Sequence, residues 1–433
     1  MNVLDAARAR IAIAFDTHER VLVAFSGGKD SGVCLQLCYE HAKATGQLHR
    51  LAVYHEDYEA GYQQTFDYIE RVLDMMPEID RYWLCLPIKA ACSVSMHQTH
   101  WIPWDEDMRH LWVRQPPKKP YVYTTKNIWF PFERGTSGFQ FRIDFAQRYA
   151  ERHGRTAVIV GLRQDESLSR RAIITSQHRV NFLDGQKYTT IVSDRCTNFY
   201  PIHDWRTEDI WTANARFGWD YNKLYDLYHM AGLSIHEMRT ASPFHASGQD
   251  TLKYYRSINP DMWAKMVGRV NGVNFTGIYG GTTAMGWKRI TKPAHFTWKQ
   301  YAHFLIDTLP PKTAAKVRTH LARFAKSWEE VGYGRNPRVI KAIMDAGVEV
   351  ENTHAISKLC TKPDVYEIIK IKGEWPDEID IENGTPFRHC PNWKAVCVTI
   401  MKNDFTLTYM GLGRTKEQMA RRKAVMDKYQ ALL

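Results

Sequence analysis

Long apolar runs are missing from this 433-residue chain. None approaches the roughly 18 residues that a bilayer-crossing helix needs, so no membrane span is expected. A secretory leader pattern is missing as well, because Leu4, Ala7, Ile11 and Phe15 recur at helical spacing among Arg8, Arg10 and Asp16. Cysteine is scarce: its eight residues include no Cys-x-x-Cys pair, which excludes a disulfide-stapled scaffold and fits a reducing cytoplasm. Internal repeats and low-complexity tracts are absent. So is the Walker A spacing, in which Gly-Lys-Ser/Thr follows a longer glycine-spaced turn.

What is present is ordinary for a globular enzyme, with 44% hydrophobic and 24% charged residues in a chain long enough for two or three domains. The net charge of +11 suits a polyanionic partner, nucleotide phosphates or nucleic acid, or else a basic surface that faces only solvent. Tryptophan is the unusual count: four of the fourteen (Trp101, Trp104, Trp112 and Trp129) fall between residues 101 and 129.

The apolar run Val21-Leu22-Val23-Ala24-Phe25 breaks into Ser26-Gly27-Gly28-Lys29-Asp30-Ser31 and then into an amphipathic stretch. A buried strand, a glycine turn and a helix start make a phosphate cradle, because main-chain N–H groups and the positive helix end face one point. A plain capped turn would read the same way. Val33, Cys34, Leu37 and Cys38 share one helix face, so both cysteines are expected in the core. Further strands are expected at Leu51–Tyr54, Tyr82–Leu86 and Ala157–Val160, with regular structure resuming over Phe139–His153. Such alternation implies a parallel sheet that binds its ligand beyond the carboxyl ends of the strands. Asp57 and Glu59, just past the second strand, are expected on that edge beside the cradle.

Residues 92–140 interrupt the rhythm with Pro103, Pro116, Pro117, Pro120 and Pro131 among aromatic and basic residues. They form either a lid or base-stacking surface, or a long loop fixed to the body by its aromatics. The strand ending at Val160 opens into Gly161-Leu162-Arg163-Gln164-Asp165-Glu166-Ser167-Leu168-Ser169-Arg170, and Tyr200-Pro201-Ile202-His203-Asp204-Trp205 follows. From about residue 225 the pattern is helical. Val317, Leu321, Phe324 and Trp328 form one stripe, and Val339, Ile340, Ile343 and Met344 a second behind Asn336-Pro337. The tail from Arg414 to Lys428 is basic, either a solvated helix face or a nucleic-acid or partner contact.

Ser-Gly-Gly-Lys-Asp-Ser resembles the pyrophosphatase loop (PP-loop) of the adenine-nucleotide α-hydrolase superfamily. With the Gly161–Arg170 and Tyr200–Trp211 segments, residues 20–211 look like its phosphoadenosine-phosphosulfate (PAPS) reductase branch. Trp112-Val113-Arg114-Gln115-Pro116-Pro117 and the long helical C-terminal part are similar to a narrower subgroup, the immunoglobulin-binding-regulator A type. That subgroup ends in a domain of unknown function and is often encoded beside a ParB/sulfiredoxin-like protein.

The resemblance implies an α/β fold, a parallel twisted sheet flanked by helices. It implies a nucleotide-binding domain over residues 1–225, with 92–140 inserted, and a mostly helical domain over 226–433. It implies that Ser26, Gly27, Gly28, Lys29, Asp30 and Ser31 bind the phosphates of ATP or a PAPS-like nucleotide. Gly161, Arg163 and Arg170 would meet a phosphate or the anion attached to it, with Glu166 orienting the arginines. Lys29, Asp30, Arg163 and Arg170 are the candidate catalytic set. Asp30 is the candidate Mg²⁺ contact, with Asp57 and Glu59 behind it.

The departures from the family pattern bear on chemistry. PAPS reductases carry a C-terminal Glu-Cys-Gly-x-His, and the last cysteines here, His389-Cys390-Pro391 and Val396-Cys397-Val398, do not match it. No adjacent Cys-Cys pair is available for the iron–sulfur cluster of adenylyl-sulfate reductases, so none is expected. His389, Cys390 and Cys397 lack a fourth ligand for a metal site. Three functions follow as expectations. The first is an ATP-using enzyme that cleaves the α–β bond to AMP and pyrophosphate while activating an acceptor. The second is a nucleotide-sensing protein that contacts DNA or a ParB-like partner. The third is a PAPS reductase with a non-standard thiol.

Overall fold

Val21, Leu22 and Val23 have no solvent exposure, as an apolar run without alternation requires of a strand covered on both faces. In the computed structural model, which describes residues 2–175, 181–279, 292–335, 337–356, 367–379, 390–405, 407 and 410, this run is β1 (Arg20–Ala24) at the centre of a sheet. Asn336, His389 and the basic tail lie outside the described residues. The sheet continues with β2 (Leu51–Glu56), β3 (Asp80–Leu84), β4 (Val122–Tyr123), β5 (Thr156–Val160), β6 (Thr189–Ile191) and β7 (Cys196–Phe199).

Its order is β4-β3-β2-β1-β5-β7-β6, parallel except where β6 meets β7. From β1 the chain builds outward to β4, then crosses over to place β5 on the other side of β1. The strand order therefore reverses between β1 and β5, and a crevice opens beyond their carboxyl ends. The Ser26–Ser31 and Gly161–Arg170 motifs follow these two strands.

Helices cover both faces. α1 (Val3–Thr17) buries Ala7, Ile11, Ala14 and Phe15, and α2 (Lys29–Ala44) buries Cys34, Leu35, Leu37 and Cys38. α3 (Gln63–Asp74) follows β2. α4 (Gly138–His153) starts where the Ser137 side chain accepts a hydrogen bond from Gln140 N–H and packs Phe141, Phe145 and Tyr149 onto Leu22, Tyr54 and Leu84.

From His100 to residue 140 the segment is fixed to the body by its aromatics. Trp101 and Trp104 are buried, Trp129 packs on Tyr82 and Phe145, and Val122–Tyr123 joins the sheet as an edge strand.

The chain packs as two units, Met1–Ala91 with His100–Val270, and Cys92–Thr99 with Asn271–Leu433. In the second, helices Trp298–Asp307, Pro311–Glu330, Pro337–Asp345 and Trp393–Met401 share a core with Val317, Phe324, Trp328, Ile343 and Cys397. Met344, expected inward, is 58% exposed. Val339, Ile340 and Ile343 already fill the buried stripe of that nine-residue helix, and Met344 falls at its edge. This unit also contains an antiparallel sheet of Tyr333–Arg335, Glu367–Ile371 and Val350–Ile356, which the helical reading did not include.

Candidate functional site

The cradle is a tight loop that holds itself together. Gly27 has φ +74°, and a Cβ there would lie 2.8 Å from Ile69 Cδ1, so both backbone and space call for glycine. Ser31 Oγ accepts from Ser26 N–H at 3.1 Å, donates to the Gly28 carbonyl at 3.1 Å and lies 3.0 Å from Ser26 Oγ. The two hydroxyls, expected as ligand donors, thus close the loop. The donors aimed outward are main-chain ones. α2 begins with Gly28 at its N-cap and no side-chain cap, which leaves first-turn N–H groups without an intrahelical partner. One of them, Lys29 N–H, donates to Tyr225 Oη at 3.0 Å.

Charged side chains surround that helix start. Lys29 is buried, with Nζ 3.2 Å from Asp30 Oδ2. Arg163, only 3% exposed, donates through Nε to Asp30 Oδ1 and through Nη1 to both oxygens of Asp165 at 2.7 and 2.8 Å. Glu166 accepts from Arg163 N–H at 3.5 Å and pairs with Arg170. Burial holds the Arg170 guanidinium below its usual range; Asp30 opposes that shift, and Arg239 and Arg163 add to it. Gly161 lets the two motifs touch, since a Cβ there would stand 2.9 Å from Ser31 N.

The Tyr200–Trp205 turn braces this arrangement. Gln164 N–H donates to the His203 carbonyl at 2.9 Å, and Gln164 Nε2 lies 2.8 Å from His203 Nδ1. Arg10 of α1 binds the Pro201 carbonyl and Asp204, both at 2.7 Å. Burial, with the Arg10 charge, lowers the His203 pKa to about 4, and this ring is neutral at physiological pH.

Asp57 and Glu59 follow the carboxyl end of β2, which lies parallel beside β1, so they fall on the expected edge, but their carboxylates are engaged by partners other than the cradle. Asp57 accepts from Trp83 Nε1, Arg114 and Glu59 N–H. Burial works to raise its pKa, but Arg114, His55 and Trp83 together hold it below the ordinary carboxylate range. Glu59, at 0% exposure and φ +65°, accepts from Trp104 N–H at 2.8 Å, Val113 N–H at 3.0 Å and Arg269 Nε and Nη2 at 2.9 and 3.2 Å. Both carboxylates anchor the aromatic segment rather than a ligand.

Asp30, the expected metal contact, has both oxygens engaged by Arg163 and Lys29. Among the described residues no group of three or more His, Cys, Asp or Glu is placed to hold a metal ion. The three carboxylates at the site, Asp30, Asp165 and Glu166, each serve an arginine. This set fits an anionic ligand and does not fit a resident metal.

The motif reading missed five contributors. Asn222 Nδ2 donates to the Gly27 carbonyl at 2.9 Å, and Tyr225 holds Lys29 N–H. Thr207, His236 and Arg239 line, with Lys29, Arg163, Asp165 and Glu166, a cleft of about 130 Å³. Asn222, Tyr225, His236 and Arg239 belong to a stretch with no recognisable spacing. Thr207 is the first residue of α5 (Thr207–Phe217), and that helix start was visible only through Asp209-Ile210-Trp211.

Residues 125–258 match the phosphoadenosine phosphosulfate reductase domain, and residues 232–421 match a domain of unknown function, DUF3440. Over 423 residues the chain is 30% identical to the uncharacterized protein YbdN of Escherichia coli (strain K12), covering 96% of this chain and 92% of that one. Looser likenesses include a phosphoadenylyl-sulfate (PAPS) reductase from Candida auris (14% identity, 51% of this chain and 84% of that one, TM-score 0.28). An NH3-dependent NAD synthetase from Campylobacter jejuni is similar at 13% identity, 64% and 96% coverage and TM-score 0.29. Scores this low transfer no ligand. No helix among the described residues is long and apolar enough to cross a membrane.

Proposed function

Because the chain belongs to the family that joins a phosphoadenosine phosphosulfate reductase domain to a C-terminal DUF3440 domain, we propose that it binds an adenine nucleotide by its phosphates at Ser26–Ser31 and cleaves ATP between the α- and β-phosphates. The observation that carries this reading is the convergence at the β1/β5 crevice. The uncapped start of α2, with Lys29, meets Arg163 from the turn after β5 and Arg170 from the helix Leu168–Thr175 that follows.

In this reading the main-chain donors of the cradle hold the β- and γ-phosphates, and Lys29 neutralises charge as it builds on the departing pyrophosphate. Arg163 is oriented by Asp30 and Asp165, and it steadies the α-phosphate. A bond from the acceptor to the α-phosphorus forms as the bond to the bridging oxygen breaks, and the electron pair leaves with pyrophosphate. Mg²⁺ would arrive with the nucleotide, since the described carboxylates at the site, Asp30, Asp165 and Glu166, each engage an arginine. The reductase alternative loses its candidate thiols: Cys390 and Cys397 are buried, and burial raises the pKa of both, that of Cys397 to about 12.

The test uses ATP labelled at the α or the γ position, together with mass spectrometry of any nucleotide that co-purifies. The expected products are labelled AMP or an adenylylated acceptor, and pyrophosphate. Ser31→Ala opens the loop and removes binding. Orthophosphate released from the γ position refutes the cleavage site.

A further inference from the structure

Tyr225 occupies a donor that the nucleotide would need. Its hydroxyl oxygen accepts from Lys29 N–H, the first amide of α2, at 3.0 Å and lies 3.5 Å from Thr240 Oγ1, at the outer limit of a hydrogen bond. Thr240 also stands over Gly28, where a Cβ would lie 2.7 Å from its Oγ1. Two hydroxyls from one stretch of chain thus cover the Gly28–Lys29 corner, and Tyr225 is only 3% exposed.

The root of that stretch is held by a contact of the opposite polarity. Asn222 Nδ2 donates to the Gly27 carbonyl and to Thr65 Oγ1, both at 2.9 Å, and Asn222 Oδ1 accepts from Leu224 N–H at 3.0 Å. An anion competes for N–H donors and not for a carbonyl, so a phosphate can displace Tyr225 and leave Asn222 in place. The phenol oxygen is a neutral acceptor, whereas a phosphate oxygen makes a charge-assisted bond roughly twice as strong. His236 and Arg239 fall between Tyr225 and Thr240 in the chain and line the cleft, so this stretch supplies part of its wall. The cleft holds about 130 Å³, against about 300–1,000 Å³ in pockets that enclose a small-molecule ligand. It is too small for a nucleoside triphosphate as it stands.

We propose that Tyr225 and Thr240 form a gate over the cradle. The structure is the closed state, and nucleotide phosphates bind by displacing the Tyr225 hydroxyl from Lys29 N–H while Asn222 keeps the root of the segment fixed. This rests on the nucleotide reading above and assigns that site its regulation. A closed gate lowers the apparent affinity by the fraction of molecules that are open, so weakening the gate raises affinity.

The experiment measures binding of Mg·ATP and, separately, of inorganic pyrophosphate to the full chain by calorimetry, in wild type, Tyr225→Phe and Thr240→Ala. Tyr225→Phe keeps the ring against Trp211, 5.1 Å between centroids, and removes only the oxygen. Both ligands are expected to bind Tyr225→Phe about 2–10-fold more tightly than wild type, the strength of one hydrogen bond, and Thr240→Ala is expected to shift in the same direction. Without ligand, amide hydrogen exchange over residues 26–31 is expected to be faster in Tyr225→Phe; with saturating ATP it is expected to be equal. Should Tyr225→Phe melt below the assay temperature, Thr240→Ala, at a half-buried position, decides alone. Affinity in the variants equal to or below that of wild type overturns the gate and leaves the nucleotide reading standing. Pyrophosphate that binds more tightly to Tyr225→Phe, with no ATP binding to either protein, supports the gate and refutes the nucleotide reading. Binding of neither ligand to any of the proteins overturns both.

Discussion

Glu59→Ala would remove the acceptor of four hydrogen bonds from a place with no solvent access. Trp104 N–H and Val113 N–H lose their partner, and the Arg269 guanidinium, with 5% of its side chain exposed, keeps only the Ile102 carbonyl. Breaking a buried ion pair from one side costs about 3–5 kcal/mol, and a buried N–H left without an acceptor adds about 1–3 kcal/mol. Against a typical total of about 5–15 kcal/mol, the variant is expected to be marginally folded or unfolded. Glu59→Gln keeps the shape and one acceptor oxygen while losing the charge, so its loss is expected to be smaller. Urea denaturation followed by tryptophan fluorescence is the assay, since Trp104 packs at this point and reports its opening. ATP affinity, measured on the folded Glu59→Gln protein, is expected to match wild type, because Glu59 does not line the cleft. Native stability in Glu59→Ala together with lost ATP binding would refute the reasoning and restore Glu59 as a ligand contact.

His18 and His203 are both held at about 4, by burial first, with Arg155 acting on His18 and Arg10 on His203. Their folded values lie below the ordinary 6.5, so their contribution to stability is complete above about pH 6.5 and is lost as pH falls toward 4. Denaturation curves from pH 8 to 4 are expected to show that decline, and His203→Gln to reduce it; stability that rises on acidification through this window would contradict the assignment. Gly161→Ala pushes a Cβ to within 2.9 Å of Ser31 N, so ATP affinity by calorimetry is expected to fall about tenfold or more, whereas unchanged affinity would contradict the close approach. Seven of the eight cysteines are buried, so no more than one thiol per native chain should react rapidly with an exchange reagent, against all eight after denaturation.

The central strands and both motifs were legible in the sequence because their signals are local. Val21–Phe25 and Ala157–Val160 are apolar without alternation, and each ends in a glycine turn that announces a helix. The carboxylates were not, since an acid at a strand end reads the same whether it meets a ligand or a buried Arg114 or Arg269. Only the fold brings Arg269 to Glu59, across 210 positions. Tyr225 and Arg239 sit among ordinary helix and turn residues, so no spacing distinguishes them. The small sheet of the second unit was hidden for a different reason. Tyr333–Arg335 is three residues long, and Val350–Ile356 includes a register shift, so neither shows a period of two.

The hydroxyl of Tyr225 on Lys29 N–H and the amide of Asn222 on the Gly27 carbonyl have a consequence for how the protein is made. These partners lie 196 and 195 positions apart in the chain. At ribosomal speeds of about 5–20 residues per second, the cradle waits roughly 10–40 s between its own emergence and that of the residues that brace it. During that interval the loop is a nascent strand end with its first-turn amides open to whatever acceptor is near. On the proposed reading, a nucleotide in the surrounding solution is such an acceptor.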